Sequence, residues 1–257
     1  MSVKRPEAYP SYAPVDAAGF AGAQDLEGGS GFGAKEYQFL RAGFVRKVFG
    51  LLAAQLALTA AVAAPIVLSS GVRGFVATNS WVVSLASLGS LVLVLVLSLS
   101  ESARHSHPTN LILLAAFTAL EGVLVGAISA TYSLSSVALA VALTAGVAGS
   151  LAVYAHRAKT DYTARGGALL SALVSLLLTG LFGALFGGGR GLELLLAGGG
   201  AVLFSFYIVY DVQLIIGGAH AKFQLSPDDY VAGTLALYLD VINLFIHLLR
   251  LLGNERE

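Results

Sequence analysis

The stretch from Tyr230 to Leu252 reads YVAGTLALYLDVINLFIHLLRLL, which is long and apolar enough to cross a membrane as a helix. A bilayer core of about 30 Å needs roughly 20 apolar residues in helical form. The segment nevertheless contains Asp240, and the apolar segment before it contains Asp211. A carboxylate near the centre of a membrane helix costs about 2.5–3.5 kcal/mol, so such residues are kept mainly where they face a bundle interior or an ion pathway. The two aspartates are therefore the first candidates for a functional site.

The composition of the whole chain indicates a polytopic membrane protein. Its 257 residues are 56% hydrophobic and 12% charged, whereas a soluble domain averages about 25% charged residues. The formal net charge is zero, so the chain has no basic footprint for a nucleic acid. The chain contains no cysteine, which excludes disulfides and thiolate chemistry.

Seven segments are predicted to span the membrane as an all-α bundle. They are residues 47–70, 79–99, 110–130, 133–155, 166–187, 192–216 and 230–252. Residues 1–42 contain no sustained apolar run, and we interpret them as a disordered N-terminal tail. The membrane domain is then residues 43–252, followed by a short C-terminal tail, residues 253–257.

The distribution of Lys and Arg between the loops predicts a cytosolic N-terminus. With that orientation, eleven of the 15 basic residues lie inside. These are Lys4, Arg5, Lys35, Arg41, Arg46, Lys47, Arg104, Arg157, Lys159, Arg165 and Lys222, against Arg73, Arg190, Arg250 and Arg256 outside. Seven spans place the C-terminus outside, unless the seventh segment is a re-entrant hairpin, which is tolerated where it is buried in protein.

Polar residues recur along one face of the seventh segment. Asp240, Asn243, His247 and Arg250 lie at i, i+3, i+7 and i+10, which places them in a stripe roughly 80° wide on a helix. A polar stripe on an otherwise apolar membrane helix indicates that the helix lines a bundle centre, a cavity or a pore. The alternative is a set of interhelical hydrogen bonds that only hold the bundle together.

Asp211 and Asp240 are expected to be neighbours, because a short connection, Gly217 to Asp229, joins their helices. Two buried carboxylates close together cannot both ionise cheaply, so they would share a proton and titrate as a coupled pair. A shared proton would tie the two helices together, and its loss would push them apart and expose oxygen ligands suited to calcium. The pair is thus predicted to be a pH sensor and gate that holds calcium transiently.

Further charged groups are candidates for the same pathway. Glu121, inside the third segment, is either a pore residue or a structural hydrogen-bond partner, and Glu193 is either at a pore mouth or simply an acid in a first helical turn. Arg104 either reaches the aspartate pair or anchors the inside of the membrane. Asp228 and Asp229 follow Ser226 and a proline, and they are predicted to cap the seventh helix.

Several stretches resemble the transmembrane Bax inhibitor motif family. FYIVYD (206–211), LSPDDYV (225–231) and LYLDVINLFIHLLR (237–250) are similar to its C-terminal signature, and FVRKVFGLLAAQLALT (44–59) to its first helix. FTALE (117–121) and VYAHRAKTDYT (153–163) resemble its Lifeguard branch, and within that branch the Golgi anti-apoptotic proteins. The resemblance covers about residues 41–252.

The resemblance implies a seven-helix bundle with the last helix near its centre, and a calcium leak gated by a di-aspartyl pH sensor at Asp211 and Asp240. It implies that Arg104 hydrogen-bonds the sensor and that Glu193 is linked to conduction. It also implies roles in calcium homeostasis and in suppressing cell death. The membrane would be that of the Golgi or endoplasmic reticulum in a eukaryote and the plasma membrane in a bacterium. Calcium would be the transported ion, and no cofactor is expected.

Two other classes of function stay open. Two intramembrane aspartates also describe an intramembrane aspartyl protease, whose acids share a proton and activate water. Asp240 lacks the glycines that such proteases place before the second aspartate, so we expect no enzyme. The third class is a non-conducting regulator that binds death-pathway proteins or calcium-release channels in the membrane.

Overall fold

The computed structural model describes residues 13–14, 34–217 and 221–256. Among these residues, seven helices are long and apolar enough to cross a membrane, as the sequence predicted. The helices are α1 (Ala34–Leu68), α2 (Ser70–Thr78), α3 (Ser80–Leu99), α4 (Glu101–His105), α5 (Thr109–Ser129), α6 (Leu134–Arg157), α7 (Gly166–Phe186), α8 (Gly189–Ile216) and α9 (Tyr230–Leu252). Helices α2 and α4 are too short to span a membrane. Each of them connects the two longer helices beside it in the chain. Two-residue strands β1 (Ala13–Pro14) and β2 (Phe223–Gln224) pair antiparallel.

Helix α1 begins at Ala34, whereas the sequence analysis extended the N-terminal tail to residue 42. Residues 38–40 are exposed. Hydropathy detects only the part of a helix that matches the bilayer, so it gives no signal for this first part of α1. The remainder of the predicted tail lies outside the described residues, apart from β1.

Helix α9 lies at the centre of the bundle, as the sequence predicted. Half of its most apolar 18-residue window is buried, against none of the corresponding window of α7. It packs against α8, α1, α6 and α5, whereas α7 lies at the periphery against α8. Because α9 is one continuous helix from Tyr230 to Leu252, the re-entrant alternative does not describe this fold.

Polar contacts join the central helix to the first half of the bundle. The Tyr238 side chain of α9 is fully buried. Its hydroxyl shares a 2.8 Å hydrogen bond with the hydroxyl of Thr59 on α1. One turn away on α1, Gln55 donates to the hydroxyl of Thr118 on α5 over 2.7 Å. Interhelical hydrogen bonds of this kind hold membrane helices in one arrangement.

A side chain from α1 caps the C-terminal end of α8. The last carbonyl groups of a helix have no partner within the helix. Arg41, which is 7% exposed, donates to the carbonyl oxygens of Ile216 at 3.0 Å, Leu214 at 2.8 Å, and Leu225 beyond the helix. A guanidinium at this end also complements the negative end of the helix dipole. The position of α8, and hence of Asp211, is fixed from the first helix.

The two faces of the bundle carry different connections. The loop face, as we name it, holds α4, residues 158–165 and the α8–α9 connection. There, Gln213 of α8 accepts from the Tyr162 amide at 2.8 Å and donates to the Thr160 carbonyl at 2.9 Å. The tail face holds residues 130–133 and the C-terminal residues 253–256. There, the Ser133 amide donates to the carbonyl of Asn254 at 2.9 Å.

Candidate functional site

Asp211 and Asp240 lie side by side in the centre of the bundle. The two residues are 8% and 5% exposed, and their carboxyl groups are close enough to interact electrostatically and to share a hydrogen bond when one of them is protonated. An ionised carboxylate only accepts hydrogen bonds, so a hydrogen bond between two carboxyl groups requires a proton on one of them. The geometry therefore brings together the two residues that the sequence singled out, in an arrangement suited to sharing a proton.

The Asp240 carboxyl group is not fully satisfied by protein contacts. Its Oδ2 atom is buried and has no hydrogen-bond partner among the described residues. A buried polar atom without a partner costs free energy, and in a native structure it indicates strain, an unseen water or ion, or a functional role. In this site it leaves one oxygen free for a water molecule or a passing cation.

The polar stripe of α9 faces a cavity on the tail-face side of the aspartates. Asn243, His247 and Arg250 line a cavity of about 570 Å³ between α7, α8 and α9, together with Glu193 of α8. The cavity wall on the α7 side is apolar, formed by leucines such as Leu177. The stripe thus lines a cleft between helices whose α7 wall includes exposed side chains such as Leu177. Asn243 also donates to the carbonyl of its own helix at Leu239 over 2.8 Å.

A second cavity continues this space towards the tail face. It measures about 560 Å³ and shares Glu193 and Arg250 with the first. Arg190 and Glu255 complete its charged lining, and Tyr132 adds a phenol group. Burial raises the pKa of the Tyr132 phenol above its usual value; Arg250 opposes this change, while Glu255 and Glu193 add to it. Glu193 therefore lies where the two cavities meet.

The structure does not bring Arg104 to the aspartate pair. Its guanidinium donates to the carbonyl oxygens of Ser98 at 2.6 Å and Leu97 at 3.3 Å, at the end of α3. Its Nε atom is buried without a hydrogen-bond partner among the described residues. In this conformation Arg104 caps α3.

Glu121 lies on α5, and its carboxyl group is close enough to the hydroxyl of Ser90 on α3 to interact with it. It is half-buried. Its contact joins α5 to α3, which matches the structural alternative considered for it. Asp211, Asp240, Asn243 and Glu193 therefore lie on α8 and α9. Glu121 lies on α5, where it is near Ser90 of α3 and close enough to Tyr238 of α9 to interact electrostatically.

The Asp229 side chain does not cap α9 as the sequence suggested; it contacts a histidine of α4 instead. Ser226 begins a 3₁₀ turn, residues 227–229, that precedes α9. Asp228 is exposed, but Asp229 is buried and its Oδ1 atom lies 3.1 Å from Nε2 of His105 in α4. Two adjacent acids cannot be distinguished in a sequence. Their different roles depend on the packing of α4 against the turn, which brings His105 to Asp229 and not to Asp228.

Comparisons with known proteins agree with this architecture. The family model for the inhibitor of apoptosis-promoting Bax1 matches residues 41–257. The chain belongs to the Bax inhibitor family. It is 38% identical to mouse protein lifeguard 4 over 83% of this chain and 85% of the relative. It is 36% identical to the Golgi anti-apoptotic protein of vaccinia virus strain Lister, over 83% and 86%. It is also 33% identical to human protein lifeguard 3, over 82% and 68%.

Two contacts around the Bax inhibitor family site were not predicted from the sequence. The first is the cap that Arg41 places on α8. The second is the close approach of His247 to Gly200: a β-carbon added at Gly200 would lie 2.2–2.4 Å from atoms of the imidazole ring. The sequence contains a signal for the second contact, because Gly200 shares a helix face with Phe204, Tyr207 and Asp211, and small residues on such a face allow close packing.

Proposed function

We propose that this member of the Bax inhibitor family is a pH-sensitive calcium leak channel of an intracellular membrane, gated by proton sharing between Asp211 and Asp240. The observation that supports the proposal is the proximity of these two buried carboxyl groups on spans that pack against each other. With the proton present, a hydrogen bond between them holds α8 and α9 together. Without it, two like charges face each other in a poorly solvated space and repel.

Calcium is the ion that this arrangement suits, because hard cations prefer carboxylate and carbonyl oxygens. Two carboxylates are fewer than the six to eight oxygen ligands that calcium takes, so the pair would hold the ion only in passage. The acid at Glu193 and the cavities beyond it supply a route from the tail face towards the pair. Calcium is thus the cargo and not a resident cofactor.

The biological role follows from the relatives. The family model is named for inhibition of apoptosis-promoting Bax1, and the vaccinia relative is named a Golgi anti-apoptotic protein. We propose the same role and a Golgi or endoplasmic reticulum membrane for this chain. A controlled leak lowers the calcium content of such a store, and with it the amount that a death signal can release. Membrane proteins that release calcium or promote cell death are the proposed partners.

The proposal predicts calcium flux that changes with pH. The purified chain is reconstituted in liposomes that contain a calcium indicator, and flux is followed across roughly pH 6 to 8, where such coupled pairs can titrate. We expect flux to rise as the shared proton is lost. Asp211→Asn and Asp240→Asn should each flatten this dependence, because asparagine keeps the size of the side chain but does not ionise. Asp228→Asn, on the exposed neighbour of the turn, should leave the profile unchanged.

The same preparation separates the other two functions. Wild-type flux equal to that of empty liposomes at every pH contradicts the channel and favours the non-conducting regulator. Cleavage of a membrane peptide that disappears in both asparagine variants favours the aspartyl protease instead.

A further inference from the structure

The face of α8 that leads to the aspartates carries a column of aromatic rings. Gly200, Phe204, Tyr207 and Asp211 follow one another at helical spacing along this face. The Phe204 ring stacks on the His247 ring with centroids 5.6 Å apart and an interplanar angle of 24°. On its other side, Phe204 contacts Tyr207 with centroids 6.1 Å apart. The rings of His247 and Phe204 therefore line the cavity, and the Tyr207 ring lies further along α8 towards the aspartate pair.

Phe204 lies between His247 and Tyr207 in this column. It is 7% exposed and forms part of the wall of the 570 Å³ cavity, on which Asn243 and His247 also lie. Tyr207, about one turn further in, is close enough to Asp211 and Asp240 to interact electrostatically with both. The order along the bundle is thus cavity, Phe204, Tyr207, aspartates.

Contacts on α9 and α8 hold this arrangement in place. The His247 ring lies against the bare backbone of Gly200 on one side and against Phe204 on the other. Its Nδ1 atom is buried and has no hydrogen-bond partner among the described residues. No hydrogen bond therefore fixes the imidazole at that atom, and its contacts with Gly200 and Phe204 are packing contacts.

We propose that Phe204, clamped between His247 and Tyr207, is a hydrophobic barrier that separates the tail-face cavity from the aspartate pair, and that this cavity is the outer half of the ion path. The inference rests on the proposed channel function and adds the residue that blocks the path when the aspartates are bonded. Ring faces offer a hydrated cation no oxygen ligand, and hydrophobic constrictions close pores by excluding water. Separation of α8 from α9 would unstack Phe204 from His247 and open the passage.

The flux measurement tests the barrier with matched variants. At a pH where the wild type leaks slowly, Phe204→Ala should leak about tenfold faster, the equivalent of about 1.4 kcal/mol off the barrier. Phe206→Ala is the control, because Phe206 lies on the same helix but points away from the cavity and is 47% exposed. His247→Phe keeps a stacking ring and should stay closed, whereas His247→Ala should leak. If the wild type conducts calcium, equal flux in Phe204→Ala and Phe206→Ala overturns the proposal.

A second measurement tests the barrier without depending on calcium flux. The chain contains no cysteine, so single cysteines report access to a membrane-impermeant thiol reagent applied from the tail face of sealed vesicles. Asn243→Cys lies in the cavity and should react readily. Asp240→Cys lies behind the rings and should react at least about tenfold more slowly. Addition of Phe204→Leu or Phe204→Ala to Asp240→Cys should restore reaction, with the smaller side chain more effective.

The two measurements fail independently. If Asp240→Cys reacts as fast as Asn243→Cys, or stays slow when Phe204 is alanine, the barrier is wrong whatever the flux. If the thiol results hold but the wild type passes no calcium, the barrier stands and the channel function fails.

Discussion

At the scale of single residues, the contact between His247 and Gly200 shows how tightly α8 and α9 approach each other. A β-carbon at position 200 would collide with ring atoms 2.2–2.4 Å away, whereas a β-carbon at Gly198, two residues earlier, meets nothing within 4 Å. Both glycines lie within the same helix. A comparison of alanine variants at the two positions therefore separates the effect of packing from the effect of helix propensity.

We predict opposite effects on stability for the two alanine variants. Gly200→Ala should lower the free energy of unfolding by about 1–3 kcal/mol, because overpacking displaces the His247 ring. Gly198→Ala should raise it by up to about 1 kcal/mol, because alanine is the better helix former. Thermal unfolding of the purified protein in detergent measures both. A Gly200→Ala variant as stable as Gly198→Ala would show that α8 and α9 do not meet as closely as described.

The sequence identified the two aspartates because a carboxylate in an apolar segment is costly and therefore conspicuous. It did not identify the role of Asp229, because an acid at the start of a helix has an ordinary local explanation and its contact with His105 is 124 positions away in the chain. It also placed Arg104 beside the pair by resemblance, while the side chain bonds carbonyl groups of α3 nearby. Local chemistry can be read from a sequence, but the partner of a long side chain depends on packing.

At the scale of helices, the end of α8 depends on a residue from α1. Arg41 donates three hydrogen bonds to carbonyl groups of the α8 terminus and the connection after it. Gly217 follows the helix with a φ of 64°, and a β-carbon there would lie 2.8 Å from Nη2 of Arg41. The glycine both reverses the chain in a left-handed conformation and leaves room for the guanidinium.

We predict that Arg41→Ala lowers the free energy of unfolding by about 2–4 kcal/mol, because the carbonyl groups of Ile216 and Leu225 lose the guanidinium donor, while that of Leu214 keeps the Leu225 amide. Arg41→Lys should recover only part of the loss, since an ammonium group cannot reproduce the planar fork of donors. Arg46→Ala is the control, because Arg46 is exposed on the same helix. Urea or thermal unfolding in detergent gives the comparison, and equal losses at positions 41 and 46 would contradict the cap.

The helices themselves were predicted well, and their ends less well. Hydropathy located all seven spans among the described residues, because the length of a membrane helix is set by the bilayer. It missed the start of α1 at Ala34 and the short helices α2 and α4. Those parts are polar or brief, so neither apolar length nor helical period distinguishes them from loops.

At the scale of the whole molecule, the order of the spans defines two faces, and the charge distribution predicts which of them is cytosolic. The loop face contains most of the basic residues in the connections, and the tail face contains the C-terminal residues bonded to the α5–α6 connection. The positive-inside rule then makes the loop face cytosolic.

Single cysteines test this orientation, because the natural chain has none. Asp228→Cys, exposed on the loop face, should react with an impermeant thiol reagent only from the cytosolic side of sealed vesicles. Asn254→Cys, exposed on the tail face, should react only from the opposite side. Reaction of both from one side would rule out seven spans, and the reverse assignment would invert the predicted topology.

The cap on α8 also has a consequence for how the protein is made. Arg41 and the carbonyl oxygen of Leu214 are separated by 173 positions, so at roughly 5–20 residues per second of synthesis the arginine waits on the order of ten seconds for its partner. The hydroxyl of Thr59 waits similarly for Tyr238, 179 positions later. Until the last span emerges, the first helix therefore carries polar groups without their final partners. A chain that stops before α9 therefore keeps the Thr59 hydroxyl without its Tyr238 partner.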